Sequence, residues 1–584
     1  MPNRLTGTLD SRIKGSLIKL ITLSIVIFAL SSQGCKRGPD RITFGGSTVG
    51  SDDTNNPSSP DGSAQTNEVN TPTALTFTTA FPRITALQWE NSVRDILLLD
   101  TTPNLSAQFP GDPQNTLFAN DGNSLIVSDP LWQSYVQAAE KISDSLAANA
   151  AQMAKLIPAS AANLTGDAKA KTIITPLATR AFRRPPTDAQ MSRLLVQFNK
   201  GTALTGNTNA VNAGIQAVVY LLLQSPYFLY RVELGTGASA LTTLNAWEVA
   251  SRISFAAWNT IPDAELIASA RSGELLTEAV LAKQVKRVMA DPKANPVLLQ
   301  FYTTIFGTST YADVIKKDPS IVKSWPADMG KTLVQESELF INEVVVKNKG
   351  GINQLLTADY AFVNSQTAPL YKVPAPAGSG FVKTTLDTNE RIGILTQIGF
   401  LARRSGEKES NAIRRGVLVS DKLLCADVTT NAPTPPKVDP PGANQTSRDV
   451  INKISGPGTC GAGCHAQYIN PSGYAFENFD AAGNFRTTDN GHPVNAAATL
   501  TLKTGPVDYK GPHDFVEKLK SSSDLHTCLV KKAVGLLYAR LVDTEDETLI
   551  AYLAEQSAAD VSTRDMFATI LMDSRIKLRG NKGK

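Results

Sequence analysis

Apolar residues recur at helical spacing through most of the chain after residue 81. Val211, Ile215, Val218, Val219 and Leu222 mark one helix face, entered after Asn207 or Thr208. Val249, Ile253, Ala256 and Ala257 mark a second, where Asn245 can cap and Glu248 stands three residues later. Pro262-Asp263 breaks that run and starts another helix. Leu525, Leu529, Ala533, Leu536 and Leu537 form a third face. Alternating, strand-like patterns are few and short, around 381–386 and 497–503. The pattern predicts a mainly α protein of several consecutive helical domains.

The first 80 residues read differently. Arg4, Arg12, Lys14 and Lys19 precede an apolar run from Leu20 to Leu30, too short to cross a bilayer and suited to an export signal. Ser32-Gln33-Gly34-Cys35 resembles a lipoprotein processing site, with Cys35 as lipid acceptor. Residues 36–76 are rich in Ser, Gly, Asn, Asp, Thr and Pro. They read as a flexible tether with a reach of about 35 Å. Pro/Gly-rich joints follow at 372–380 and 431–443.

Composition sharpens this outline. At 584 residues, with 42% hydrophobic and 19% charged residues, the chain has enough apolar material for several cores. The formal charge of +4 falls to about +1 if residues 1–34, with four basic groups and Asp10, are removed. Such a balance argues against nucleic acid as partner. The basic end (Arg575, Lys577, Arg579, Lys582, Lys584) reads as a solvated helix terminus. An exported chain meets an oxidising compartment, where disulfides form.

The candidate chemistry is concentrated late. All four histidines (His465, His492, His513, His526) lie between 465 and 526, and four of the five cysteines (Cys425, Cys460, Cys464, Cys528) lie in the last third. Cys460-Gly-Ala-Gly-Cys464-His465 places two thiols before an imidazole. In that arrangement the thiols can add to the vinyl groups of haem c while His465 ligates iron as the proximal ligand. Gly461 and Gly463 ease the extra residue between the cysteines. Tyr468, Tyr474, Phe476, Phe479 and Phe485 are candidate pocket walls, although any one of them reads equally as ordinary core, and Arg486 is a candidate propionate partner. The distal ligand is open among His492, His513, His526, Met566 and Met572, with His526 favoured because its helix also carries Cys528. Two other readings stand beside haem. Cys460–Cys464 can form a disulfide, with Cys425–Cys528 as the second pair, or Cys460, Cys464, Cys528 and a His can hold zinc. Cys425–Cys528 can pair even when haem is bound. Glu336 and Glu338 should face different ways, and Glu477 and Asp480 share a face that reads as solvated surface.

Several segments carry a resemblance. They include Arg83-Ile-Thr-Ala-Leu-Gln-Trp-Glu-Asn-Ser-Val-Arg-Asp95, Arg180-Ala-Phe-Arg-Arg-Pro-Pro-Thr187, Ser225-Pro-Tyr-Phe-Leu-Tyr-Arg231, Trp247–Arg252 through Trp258 and Pro262–Leu266. Further along come Gly399–Ser405, Arg414-Arg-Gly416, Leu423-Leu-Cys425, Cys464–Asp480 and Phe515–Arg579. Together they resemble the exported planctomycete-type multidomain family, made of serial domains of unknown function with a cytochrome-c-like Cys/His motif near the C-terminus. The family pattern has two residues between the cysteines and Asp-Pro where this chain has Asn470-Pro471.

The expected organisation is a signal peptide over 1–35 and a tether over 36–76. Helical domains follow at 77–165, 166–237 and 238–372, then the Pro-rich joint and haem-motif domain at 373–505 and a C-terminal helical domain at 506–584. The expected function is that of a c-type haem protein, lipid-anchored in the bacterial cell envelope (periplasm or outer membrane). It would have an electron-transfer or oxidoreductase role on an extracytoplasmic substrate and a redox partner or extracellular polymer as contact. The alternative is a non-enzymatic surface lipoprotein with a Cys460–Cys464 disulfide.

Overall fold

The structure, a computed structural model, describes residues 81–113, 117–236, 241–428, 440–459 and 462–580. The expected signal peptide, Cys35 and the expected tether lie outside the described residues. The described chain is mainly helical, and its few strands pair two by two. No described helix is long and apolar enough to cross a membrane.

Residues 84–229 build one core around Ala210–Leu222, which packs against Asp129–Ala148, Gly166–Phe182 and Asp188–Asn199. Ile215, Val218, Val219 and Leu222 are buried on its inner face, each worth about 2 kcal/mol. The helix starts one residue later than the sequence predicts. The Asn209 side chain accepts from the backbone N–H groups of Val211 and Asn212, whereas Asn207 accepts from Asn209 itself. Both ends of this region meet: Ile84 N–H donates to the Leu229 carbonyl, and Arg231 N–H to that of Pro82.

A second core runs from Leu244 to Ile576. Ala246–Trp258 begins it with the expected Asn245/Glu248 capping box, and Asp263 caps Ala264–Ser272. The last helix, Thr563–Met572, packs on Glu278–Ala290, and Thr563 shares a hydrogen bond with Tyr302. The final described strand, Leu578–Gly580, pairs with Leu241–Thr243.

The basic end is therefore not a solvated terminus. Arg575 is buried against Asp573 and the Glu545 carbonyl, Lys577 donates to the Leu276 carbonyl, and Arg579 donates to that of Glu233. These cations satisfy backbone carbonyls of the turns and loop packed against this end of the chain. Lys582 and Lys584 lie outside the described residues.

The predicted strands appear as Val382–Thr385, paired with Tyr360–Val363, and Ala498–Leu502, paired with Gly505–Tyr509. Three helical turns widen to the i→i+5 pattern, at Asn342–Lys347, Val419–Leu423 and Ala462–Ile469. Such turns are rare and gather at functional sites.

Candidate functional site

Cys464 and His465 sit in the wide turn Ala462–Ile469, which runs into the short helix Asn470–Tyr474. The segment packs against Ala412–Leu418, Ser447–Ser455 and Ala498–Leu502. Two glycines set the closest approach. A Cβ on Gly416 would lie 1.9 Å from the Ile469 carbonyl oxygen, and one on Gly473 would lie 1.9 Å from that of Ala412. Each helix thus presses bare backbone against the other, which accounts for the glycines of Arg414-Arg-Gly416 and Pro471-Ser-Gly473.

Arg415, between them, is fully buried. Its guanidinium donates to the carbonyls of Phe476, Phe479 and Asp480 at 2.7, 3.0 and 2.8 Å, and to Ser405 Oγ. Burial pulls its pKa down to about 10, with Glu477 opposing. Ser420 Oγ adds a bond to the Tyr468 carbonyl at 3.0 Å. The Cys/His turn is therefore backed by a rigid polar scaffold.

The motif side chains themselves are uncommitted. Cys464 is an unpaired, half-buried thiol. The His465 imidazole has no hydrogen-bond partner among the described residues, and its Nδ1 is buried. An orphaned buried ring nitrogen is uncommon, because a buried polar group normally finds a partner. A thiol and an adjacent free imidazole are the donors a covalent haem needs, so this part of the set fits the group. Cys460 and Gly461 lie outside the described residues.

Other expectations fare differently. Tyr474, Phe476 and Phe479 are core side chains: Phe476 packs edge-on against Phe400 and Phe515, and Tyr474 lies under Arg448 and bonds Asn452. Tyr468 remains half-buried, and Phe485 packs against Phe479.

Arg486 is spent on the Glu477 carbonyl, Ser410 and Asp489, so it is not waiting for a propionate. Glu477 is buried rather than solvated, and burial pushes its carboxyl up against the pull of Arg486 and Arg415. Asp480 accepts from Ala482, Asn484 and the Asn484 side chain, closing a turn.

Cys425 and Cys528 are joined, with S–S 2.08 Å, tying the end of Val419–Leu423 to Ser523–Tyr538. Cys528 is thereby unavailable to a zinc site, and no group of three or more His, Cys, Asp or Glu among the described residues is placed to hold a metal. His526, expected as a distal ligand, is 1% exposed, with Nδ1 on Ser557 Oγ at 2.9 Å and Nε2 on the Lys520 carbonyl at 2.7 Å. Neither nitrogen is free in this arrangement. Met566 is core, His492 lies in a short strand, and His513 keeps a buried, unpartnered Nε2.

Glu336 and Glu338 face different ways, as their spacing predicts, but the sequence reading misses the burial of Glu336. Glu336 is 1% exposed, accepts from the Tyr371 hydroxyl and is pushed up to about 8 by burial, while Glu338 is exposed. The signal was present: Glu336 stands on the face that carries Leu333, Phe340 and Ile341.

The geometry describes a helical multidomain protein with one uncommitted Cys/His pair on a rigid scaffold. Comparison with known domains gives its relationship. Residues 83–148 match PSD3, a protein of unknown function (DUF1587), and 169–233 match PSD5 (DUF1595). Residues 244–373 match PSD4 (DUF1592), and 391–489 match PSCyt3 (DUF1588). The chain belongs to the planctomycete-type multidomain family built from these serial domains of unknown function. No curated protein and no solved structure matches it.

Proposed function

We propose that this chain is an exported c-type haem protein with a redox role at the cell envelope, anchored by lipid on Cys35. The observation that carries the reading is the pair Cys464–His465, a free thiol beside an imidazole with no hydrogen-bond partner among the described residues. It lies within the segment that matches PSCyt3, whose cytochrome-type name supports the same class. Cys460 and Cys464 would hold the group and His465 would be the proximal ligand. Haem bound there supplies a one-electron couple.

The chain's own contribution is positional. Gly416 and Gly473 bring the two helices into backbone contact, and Arg415 locks the loop after the motif. That fixes where the thiol and imidazole stand. The partner or substrate is extracytoplasmic in this reading.

The test is a pyridine haemochrome spectrum of the full chain, expressed with its signal in a host carrying c-type maturation. A c-type α-band that survives acid–acetone extraction is expected, with loss of the low-spin spectrum in His465→Ala. Absence of haem, with Cys460–Cys464 found oxidised by mass spectrometry, would overturn the reading in favour of a surface binding protein. Labelled fatty acid on the wild type and none on Cys35→Ala checks the anchor.

A further inference from the structure

Away from the Cys/His turn, a cavity of about 250 Å³ opens between the 117–121 loop and the helix Ser523–Tyr538. Leu117, Phe118 and Val542 give it an apolar wall, and Cys425 of the disulfide and two lysines, Lys531 and Lys532, complete one side. The lysines are consecutive on one helix, and both are half-buried.

The partner accounting of the polar groups is one-sided. Asp121 accepts from Asn123 and Ser124, and Arg540 is held in a two-point pair by Asp546. Lys531 has no hydrogen bond or ion pair among the described residues. Among the described residues Lys532 donates only to Cys425 Sγ, at 3.4 Å, and sulfur is a weak acceptor. Burial pulls Lys532 down to about 8, with Asp421 opposing and Lys422, which pairs with Asp421 at 2.7 Å, adding to the fall. A desolvated ammonium short of a counter-ion, at the edge of an apolar cavity, is arranged for an anion carrying an apolar body.

We infer that this cavity binds a small monocarboxylate, with the carboxylate on Lys532 and the chain against Leu117, Phe118 and Val542. Lys531 adds long-range attraction at the mouth. The disulfide fixes the wall that Cys425 supplies, so the site is built into the fold rather than assembled on binding.

Isothermal titration of the full chain with hexanoate, 1-hexanol and hexylammonium tests this. Hexanoate should bind at least about tenfold more tightly than hexanol, the worth of one partly buried ion pair, and hexylammonium should not bind. Lys532→Met should bring hexanoate down to the hexanol level, with a thermal melt confirming that the variant is folded. Equal affinity of wild type for hexanoate and hexanol, or no binding of hexanoate, overturns the inference without any variant. So does a folded Lys532→Met chain that keeps the preference.

Discussion

The chain contains two close Cys/His pairs, and they are treated in opposite ways. In Ser523–Tyr538, Cys528 is 1% exposed and bonded to Cys425, and His526 is 1% exposed with both nitrogens engaged. In Ala462–Ile469, Cys464 is a free thiol and the His465 imidazole has no hydrogen-bond partner among the described residues. The residue types are the same and the spacings nearly so. What separates them is whether the fold has already spent their bonding capacity. A chemically useful pair is one that the structure leaves unspent, on a scaffold rigid enough to hold it.

The largest way to break that contrast is to remove the thiols. Replacing Cys425 and Cys528 together by Ala opens a link across 103 residues and should cost about 4 kcal/mol of unfolding free energy. Cys464→Ala in haem-free protein should cost no more than about 0.5 kcal/mol. Urea denaturation of the two variants, side by side, measures the difference. Equal losses would mean that Cys464 is as structural as Cys528.

The histidines give the next comparison. His526→Ala strands Ser557 Oγ and the Lys520 carbonyl and opens a hole beside them, so a loss of about 3 kcal/mol is expected. The same group should show in the pH dependence. Burial holds the His526 pKa below its ordinary value, with the Lys520 carbonyl and Asp560 opposing. The folded state therefore favours the neutral ring. Its stabilisation is fully present above about pH 6.5, the unfolded value, and is lost as pH falls through the lower folded value. His526→Gln should flatten the fall in stability below pH 6.5, read from melting temperature against pH. A slope unchanged by the substitution would assign the acid sensitivity to other groups.

Much of the secondary structure was legible because periodicity and caps agree. Asn245 with Glu248, and Asp263 after Pro262, start helices where expected. The way the segments share cores was not legible. Helices from 244 onward and those after 523 bury their apolar faces against one another, and no local pattern encodes such distant pairing. The site was half legible. Cys464 and His465 could be singled out by spacing, but His526 looked equally available until its two partners, Ser557 and the Lys520 carbonyl, were in place. Arg486 and Phe476 failed as pocket residues for the same reason: their partners come from remote segments, Ser410 for one and Phe400 and Phe515 for the other. Lys532 was invisible because its meaning depends on Phe118, more than four hundred positions away in the chain.

The smallest expected effect is the most discriminating. His465→Ala removes an imidazole that bonds none of the described residues, so in haem-free protein its unfolding free energy should stay within about 0.5 kcal/mol of wild type. The substitution also deletes a buried Nδ1 without a partner, which by itself costs the folded state, so a small gain is as consistent as no change. Tight backing by Gly416 and Gly473 lies on the helix below, not on the ring, and should leave the turn in place. Urea titration of His465→Ala beside His526→Ala reads both at once. A loss for His465→Ala matching that of His526→Ala would show that the ring is a structural element, and the contrast between the two pairs would collapse.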